Sequence, residues 1–302
     1  MQPSRKSWRA IEIGMRDPGS VTPFEPFTDG IDFAEGPRWR DGRLWYSDFY
    51  QHRVYAVDMA GNRETMVEFP GQPSGLGWMP DGSLLIVSMV DRKVMRWTNG
   101  VLTEHADLNS IATFHCNDMI VDAVGNAYVG NFGWDIFAGD VETITPADLA
   151  LVRPDGSFEV AATGLLFPNG MVITPDGRTL IVGETFGAQY RAFDIADDAT
   201  LSNERVWAGV PGMAPDGCDL DAEGAIWFAD ARGGRVVRVT GGGEVTDTVT
   251  TDSRVFACAL GGADGRTLFA LCGPGSAPAE VAGKAAGSIK QMTVDVPSAA
   301  HG

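Results

Sequence analysis

One motif recurs along the chain and restricts the fold more than any other feature of the sequence. Each copy consists of an apolar stretch, a turn with Asp-Gly or a near equivalent, and a short alternating run. The turn glycines are Gly42, Gly82, Gly125, Gly177, Gly224 and Gly265. Their spacings of 40, 43, 52, 47 and 41 residues match the period of a four-stranded propeller blade. Asp-Gly between alternating runs predicts a hairpin in which both turn residues adopt φ > 0.

Each blade requires a second hairpin, and further turns lie between the main ones. They are Ala60-Gly61-Asn62, Asn99-Gly100, Pro154-Asp155-Gly156 and Gly241-Gly242-Gly243. The sequence therefore predicts an all-β, six-bladed β-propeller with four-stranded blades around a central channel. A single domain is expected over residues 1–302, with a repeat core of about 30–297. We expect either residues 288–296 or residues 10–15 to complete a blade and close the ring, and residues 139–149 to form a surface loop with a helical turn.

The acidic composition excludes one class of partner. The chain has 23 basic and 40 acidic side chains and a net charge of −17, whereas binding to a nucleic-acid backbone depends on clustered Lys and Arg. No stretch approaches the 18 apolar residues of a membrane span, and the first 17 residues lack the apolar run of a signal peptide. The four cysteines show no CxxC spacing. We therefore expect a cytoplasmic protein with free thiols and with no nucleic-acid or membrane partner.

One position of the repeat carries an oxygen-bearing side chain in five of its six copies. Counting back eight residues from each turn glycine, or seven in the shorter first repeat, gives Glu35, Ser74, Asn117, Asn169, Asp216 and Ala257. Symmetry-equivalent positions of a propeller lie at equal radius around the channel, so these side chains are expected to converge. Carboxylate and amide oxygens without cysteine suit a hard cation. The pattern predicts one divalent-cation site, with Ca²⁺ as the leading candidate and Mg²⁺, Mn²⁺ or Zn²⁺ as alternatives; otherwise these residues only cap turns.

Three segments around these positions resemble a known family. They are Phe33-Ala34-Glu35-Gly36-Pro37-Arg38-Trp39, Phe167-Pro168-Asn169-Gly170-Met171 and Ala214-Pro215-Asp216-Gly217-Cys218-Asp219-Leu220-Asp221-Ala222-Glu223-Gly224. From about residue 35 to 272, the motifs stand in the order found in the gluconolactonase, regucalcin (senescence marker protein) and luciferin-regenerating enzyme family. The resemblance implies a six-bladed propeller with one divalent cation at the channel mouth. It further implies that Glu35, Asn169 and Asp216 are metal ligands and that Asp216 is the general base.

The same resemblance suggests substrate contacts. Asn117 matches a position that contacts substrate or lies close to the metal, and Asp135 falls near an acidic substrate contact of the family. His115 stands where members acting on sugar lactones often carry Arg, so a sugar lactone is not assigned as the substrate. We expect Asn117 and His115 to orient the substrate, and Phe132 and Trp134 to make the pocket more aromatic.

Together with the polar ring, the resemblance implies a metal-dependent hydrolase that opens a small-molecule lactone, a cyclic ester. The cation would polarise the lactone carbonyl, and Asp216 would take a proton from the attacking water. The sequence has no Gly-x-Ser-x-Gly elbow, which disfavours a serine hydrolase. Two alternatives stay open: a non-catalytic cation-binding propeller that binds a ligand or a protein, and another metal-templated reaction in the same channel, such as phosphoester hydrolysis. The sequence leaves the oligomeric state open.

Overall fold

The predicted six-bladed propeller is confirmed by the computed structural model, which describes residues 23–136 and 144–299. Six antiparallel sheets of four strands each are arranged in a ring around a common axis. The only helix in these two ranges is the short α1 (Pro278–Val281). No helix among the described residues is long and apolar enough to cross a membrane.

Five blades are built from four consecutive strands, and the sixth combines strands from both ends of the described chain. Blade 1 contains β2 (Ala34–Arg40), β3 (Arg43–Asp48), β4 (Arg53–Asp58) and β5 (Arg63–Glu68). Blade 2 contains β6 (Pro73–Trp78), β7 (Leu84–Ser88), β8 (Lys93–Thr98) and β9 (Val101–Asp107). Blades 3 and 4 contain β10 (Cys116–Val121), β11 (Ala127–Asn131), β12 (Ala147–Val152) and β13 (Phe158–Leu165), then β14 (Pro168–Ile173), β15 (Thr179–Glu184), β16 (Gln189–Ile195) and β17 (Leu201–Gly209). Blades 5 and 6 contain β18 (Pro215–Leu220), β19 (Ile226–Asp230), β20 (Arg235–Val239) and β21 (Val245–Thr250), then β22 (Arg254–Gly261), β23 (Thr267–Gly273), β24 (Gly287–Thr293) and β1 (Glu25–Ile31).

The main turns form where the sequence predicts them, but their conformation corrects one expectation. In Asp41-Gly42 both residues have positive φ, 51° and 73°. In the other five main turns of the described chain, the residue before the turn glycine does not. At Gly82, for example, φ is 84°, its N–H donates to the carbonyl of Met79, and the Met79 N–H donates to the carbonyl of Ser83. Such a turn needs the left-handed conformation only at its glycine, so the positions were right and the turn type was not.

Both ends of the described chain close the ring. β24 pairs with β23, and β1 pairs with β24, with Thr28 opposite Ile289. The predicted closure by the tail is therefore confirmed, while residues 10–15 lie outside the described residues. The loop expected at 139–149 is partly wrong: residues 137–143 lie outside the described residues, but Ala147 begins β12, whose side chains are almost all buried. The extent of the single domain, residues 1–302, stays a prediction.

The first strand of each blade lies innermost, and neighbouring inner strands approach closely around the channel. The glycine that follows the polar repeat position makes this approach possible. A Cβ atom on Gly75 would lie 2.5 Å from the Met119 nitrogen of the next blade, and one on Gly170 would lie 2.4 Å from the Asp216 carbonyl oxygen. Any larger residue would push adjacent blades apart, so these glycines set the radius at which the polar side chains meet.

Aromatic pairs connect neighbouring blades farther from the axis. Trp39 of blade 1 stacks on Phe269 of blade 6, with ring centroids 5.7 Å apart. Trp45 of blade 1 meets Trp78 of blade 2 edge to face at 5.3 Å. Pairs of this kind contribute about 0.5–1.5 kcal/mol beyond their buried area. Trp39 and Trp78 thus pack between blades, and all four cysteines are free, as predicted, and buried.

Candidate metal and substrate site

The polar repeat positions meet at the end of the channel where the inner strands begin. Glu35, Asn117, Asn169 and Asp216 are the second residues of β2, β10, β14 and β18. All four are buried, and they line one cavity of about 340 Å³ together with His115. The structure thus brings together the three candidate metal ligands and two of the three candidate substrate contacts.

Two carboxylates share this cavity and repel each other. Burial and the charge of Asp216 raise the pKa of Glu35 well above its ordinary value. Burial raises the pKa of Asp216 to about 8, a hydrogen bond from Asn169 acts in the opposite direction, and repulsion from Asp118 adds to the rise. A divalent cation between Glu35 and Asp216 would reverse these shifts, because an opposite charge favours the ionised form.

The two amides of the site leave their oxygens free. The Nδ2 of Asn169 donates to the Thr185 hydroxyl at 3.1 Å, and its amide also hydrogen-bonds Asp216. Its Oδ1 accepts no hydrogen bond from the residues that the structure describes. The side chain of Asn117 is only 6% exposed, yet it makes no hydrogen bond within the described ranges. Both amides line the cavity, so these atoms are available to a ligand there.

The structure also contains a set of supports that sequence reasoning missed. A buried carboxylate at the end of a second strand accepts a backbone N–H just before each candidate metal ligand. Asp48 accepts from Phe33, Glu184 from Leu166, and Asp230 from Ala214. Each of these carboxylates follows the turn glycine of its blade by six or seven residues, a constant offset that could have revealed them. They fix the entry of the inner strands and thereby the positions of Glu35, Asn169 and Asp216.

Glu184 also forms a structural ion pair with Arg191, and neither residue is part of the cavity lining. The Arg191 Nη2 donates to Glu184 at 2.7 Å, and the carboxylate is fully buried. Asp118, beside the site, pairs with Arg38 at 3.1 Å. Asp219 accepts the backbone N–H groups of Leu220 and Leu260, so it has a structural role.

His115 and Asp135 take different positions relative to the cavity. His115 lines it and stacks on Phe114, with ring centroids 4.1 Å apart. Burial lowers the pKa of His115, the charge of Asp135 acts in the opposite direction, and its Nδ1 is buried without a hydrogen-bond partner among the described residues. Asp135 is exposed and is not part of the lining. Its role as a substrate contact stays a prediction.

Sequence reasoning missed most of the cavity wall. Six phenylalanines contribute to it: Phe33, Phe49, Phe132, Phe167, Phe186 and Phe256. Of the two aromatic residues expected there, Phe132 lines the cavity, whereas Trp134 packs behind it against Phe186 at 4.8 Å. A signal was present, since Phe33 and Phe167 precede the polar repeat position by two residues, the offset of His115. Arg254, which also lines the cavity, had no such signal.

The donor set fits a hard cation better than a softer one. Within residues 23–136 and 144–299, no three His, Cys, Asp or Glu side chains come together as a metal site. Glu35 and Asp216 supply two carboxylates, and the free oxygens of Asn169 and Asn117 are the remaining protein donors. Oxygen donors of this kind suit Ca²⁺ or Mg²⁺, with water or substrate completing the coordination.

Comparison with known proteins identifies the family. A family model described as the SMP-30/Gluconolactonase/LRE-like region matches residues 33–271, which include every candidate ligand. The chain belongs to the SMP-30/gluconolactonase/LRE-like family. The resemblance seen in the sequence is therefore confirmed.

Individual members of the SMP-30/gluconolactonase/LRE-like family differ widely in sequence. The chain is 25% identical over 244 residues to 6-deoxy-6-sulfogluconolactonase of Pseudomonas putida, covering 78% of this chain and 81% of that protein. It is 25% identical over 239 residues to diisopropyl-fluorophosphatase of Loligo vulgaris, covering 68% and 74%. The crystal structure of a calcium-binding protein, regucalcin, from Agrobacterium tumefaciens superposes with a TM-score of 0.75 at 21% identity, covering 92% of this chain and 97% of that one. At this identity, the likeness to the solved structure shows the shared fold.

Proposed function

We propose that this protein is a metal-dependent hydrolase that opens a lactone, with a divalent cation held by Glu35, Asn169 and Asp216. The observation that carries the proposal is the pair of buried, mutually repelling carboxylates beside amide oxygens without partners. Relatives named as a sulfogluconolactonase and a fluorophosphatase support hydrolysis. The regucalcin described as calcium-binding supports Ca²⁺, with Mg²⁺, Mn²⁺ and Zn²⁺ as alternatives. We further propose a small-molecule substrate, a cytoplasmic location and a single domain.

The side chains of the cavity have separate roles in this reaction. Glu35, Asn169 and Asp216 would hold the cation, which would supply Lewis-acid polarisation of the ester carbonyl. Asp216 takes a proton from the attacking water and returns it to the leaving alkoxide, so the carboxylate is regenerated in each cycle. Asn117 holds a substrate oxygen through its amide, and His115, which is neutral at pH 7 because burial lowers its pKa, orients the ring. The hydroxy acid formed ionises in solution and releases one proton for each ring opened.

The test measures the proton that is released for each lactone ring opened. The protein is stripped with EDTA, and Ca²⁺, Mg²⁺, Mn²⁺ or Zn²⁺ is added back separately before assay with aliphatic, sugar and aromatic lactones. Asp216→Asn removes the proposed base and Asn169→Ala removes a ligand. Asp41→Asn is the matched control, because it makes the same charge change at an exposed turn residue with φ of 51°, which Asn tolerates.

The outcomes separate the proposed hydrolase from the alternatives. Turnover that requires a cation, falls at least about a hundredfold in Asp216→Asn and persists in Asp41→Asn supports the mechanism. Cation binding that raises the melting temperature without turnover of any lactone favours a non-catalytic binding propeller, and a phosphotriester in the panel tests the other metal-templated reaction. No cation binding at all contradicts the proposed metal site.

A further inference from the structure

Glu35, Asn117, Asn169 and Asp216 form the polar floor of the cavity, and the wall above this floor is largely apolar. The six phenylalanines that line it come from four different blades, and Met89 and Ile136 add to them. The rings contact each other, as Phe33 does with Phe256 at 4.8 Å and Phe132 with Phe167 at 4.5 Å. A wall formed in this way is held by packing, so it offers a rigid, largely apolar surface to whatever lies on the floor.

Two hydroxyl groups of the wall, those of Thr185 and Tyr50, are occupied by the protein itself, while Gln72 and Ser276 are further polar residues of the lining. The Thr185 hydroxyl donates to the Pro215 carbonyl at 2.7 Å and accepts from Asn169. The Tyr50 hydroxyl donates to the Ser276 carbonyl at 3.0 Å. A sugar lactone buries several hydroxyl groups, and each one left without a partner costs about 1–3 kcal/mol. The wall therefore favours an apolar or aromatic lactone over a polyol.

One positively charged side chain, that of Arg254, lies beside this wall. Arg254 is the only Lys or Arg that lines the cavity within the described residues. Its Nε and Nη2 donate to the Ala231 carbonyl at 3.3 and 3.1 Å, and its guanidinium lies over the Phe256 ring at 5.0 Å. It forms no ion pair with any described carboxylate. The charge of Arg254 also acts on Asp216, but no described carboxylate contacts the guanidinium directly. A guanidinium held in place by a carbonyl and a ring in this way can take an anionic substituent.

We propose that the substrate is a lactone that joins an apolar, preferably aromatic, ring to an anionic group, with the ring against the phenylalanine wall and the anion at Arg254. This inference rests on the proposed lactone hydrolysis and names the substrate class of the same cavity. His115 agrees with it, since its ring continues the aromatic surface beside Phe114 and Phe132.

The experiment compares kcat/KM for three kinds of lactone. Dihydrocoumarin is the neutral aromatic lactone, its 6- and 7-carboxylates place an anion at two distances from the ester, and glucono-1,5-lactone is the polyol. We expect dihydrocoumarin to exceed glucono-1,5-lactone by at least about tenfold, and the better carboxylate to exceed dihydrocoumarin. A glucono-1,5-lactone rate equal to or above that of dihydrocoumarin overturns the inference and leaves lactone hydrolysis intact.

Two variants separately test the phenylalanine wall and the Arg254 guanidinium. Arg254→Gln should lower the ratio of carboxylate to neutral kcat/KM by about fivefold, while Arg178→Gln, at an exposed turn, should keep the wild-type ratio. Phe186→Ala should lower kcat/KM for dihydrocoumarin by about tenfold. The control Phe158→Ala, which changes an exposed phenylalanine of β13, should keep the wild-type kcat/KM. An unchanged carboxylate ratio in Arg254→Gln overturns the assignment of the anion to that residue.

A binding measurement keeps the inference distinct from the proposed reaction. The lactam analogues of dihydrocoumarin-6- and 7-carboxylate and of gluconolactone are not opened, and their binding can be followed by tryptophan fluorescence, because Trp134 packs directly behind Phe167 and Phe186. Absence of turnover for all lactones would refute the proposed function. Even then, tighter binding of an aromatic lactam carboxylate than of gluconolactam supports the ligand class, and the reverse order overturns it.

Discussion

Replacing Asp216 with Asn should stabilise the cation-free protein at pH 8, although this residue lies at the centre of the candidate site. Burial raises the pKa of Asp216 from an ordinary value of 3.8 to about 8. Because the folded-state pKa lies above the unfolded one, ionisation of this carboxyl opposes folding. The opposition is absent below about pH 4, grows as the pH rises, and is complete above about pH 8.

The size of the effect follows from the shift. At about 1.4 kcal/mol per pKa unit, the rise corresponds to roughly 6 kcal/mol. Water entering the cavity lowers the cost of a buried charge, so we expect Asp216→Asn to raise the free energy of unfolding by about 2–3 kcal/mol at pH 8. Asn has nearly the volume of Asp, so the packing around it should be kept.

Urea unfolding in EDTA at pH 5 and pH 8 measures this difference, with Asp41→Asn as the exposed control. The wild type should be less stable at pH 8 than at pH 5, and Asp216→Asn should remove much of that dependence. Added Ca²⁺ should stabilise the wild type at pH 8 by more than it stabilises the variant, because cation binding to the folded state shifts the equilibrium. If Asp216→Asn is less stable than the wild type at pH 8 in EDTA while Asp41→Asn is unaffected, the electrostatic reasoning is wrong.

Three further perturbations test other parts of the structure. Glu184→Ala should lower the free energy of unfolding by about 3 kcal/mol, because it removes a buried carboxylate that accepts from Leu166 and Arg191, while Arg191 keeps only its exposed ion-pair partner Glu204; a loss below about 1 kcal/mol in urea unfolding would contradict a structural role of the buried carboxylate. Gly170→Ala should weaken Ca²⁺ binding at least about tenfold in calorimetry, since its Cβ would lie 2.4 Å from the backbone carbonyl oxygen of Asp216. In the control Gly209→Ala, the new Cβ meets no atom within 4 Å, so this variant should bind Ca²⁺ as the wild type does. All four cysteines should resist Ellman's reagent until urea unfolds the protein, because each is buried and burial raises the pKa of Cys116 to about 12; one fast-reacting thiol in the native state would contradict their burial.

The blade architecture could be predicted because its signals are local. A turn glycine and the alternating residues beside it determine one hairpin, and the same spacing repeats around the ring. The partner of the closing tail could not be predicted, since β1 carries no repeat turn and pairs with β24 from the far end of the described chain. The strand β12 was missed for a related reason: an insertion before Ala147 lengthens the third repeat and hides where its pattern resumes.

The candidate site also contains residues that the sequence could predict and residues that it could not. A constant offset from the turn glycine located Glu35, Asn117, Asn169 and Asp216, because symmetry converts equal sequence positions into equal radii. The supports at Asp48 and Asp230 also have a constant offset, and they bond to the segment that leads into the other strand of the same predicted hairpin, so the sequence contained the signal for them. The phenylalanine wall assembles from different blades, so each residue alone resembles an ordinary core position.

The pairing of β1 with β24 also determines the order in which this molecule can be completed during synthesis. The hairpins of blades 1 to 5 each join neighbouring segments, so they can form as the chain leaves the ribosome. β1 emerges before all of them, yet its partner is among the last strands to appear. Until then both β1 and β23 carry unpaired edges, which are the parts of a β-protein most prone to join with other chains. A chain that ends before Gly287 would therefore leave an open ring in which β1 and β23 both have an unpaired side, whereas β24 pairs with both of them in the closed ring.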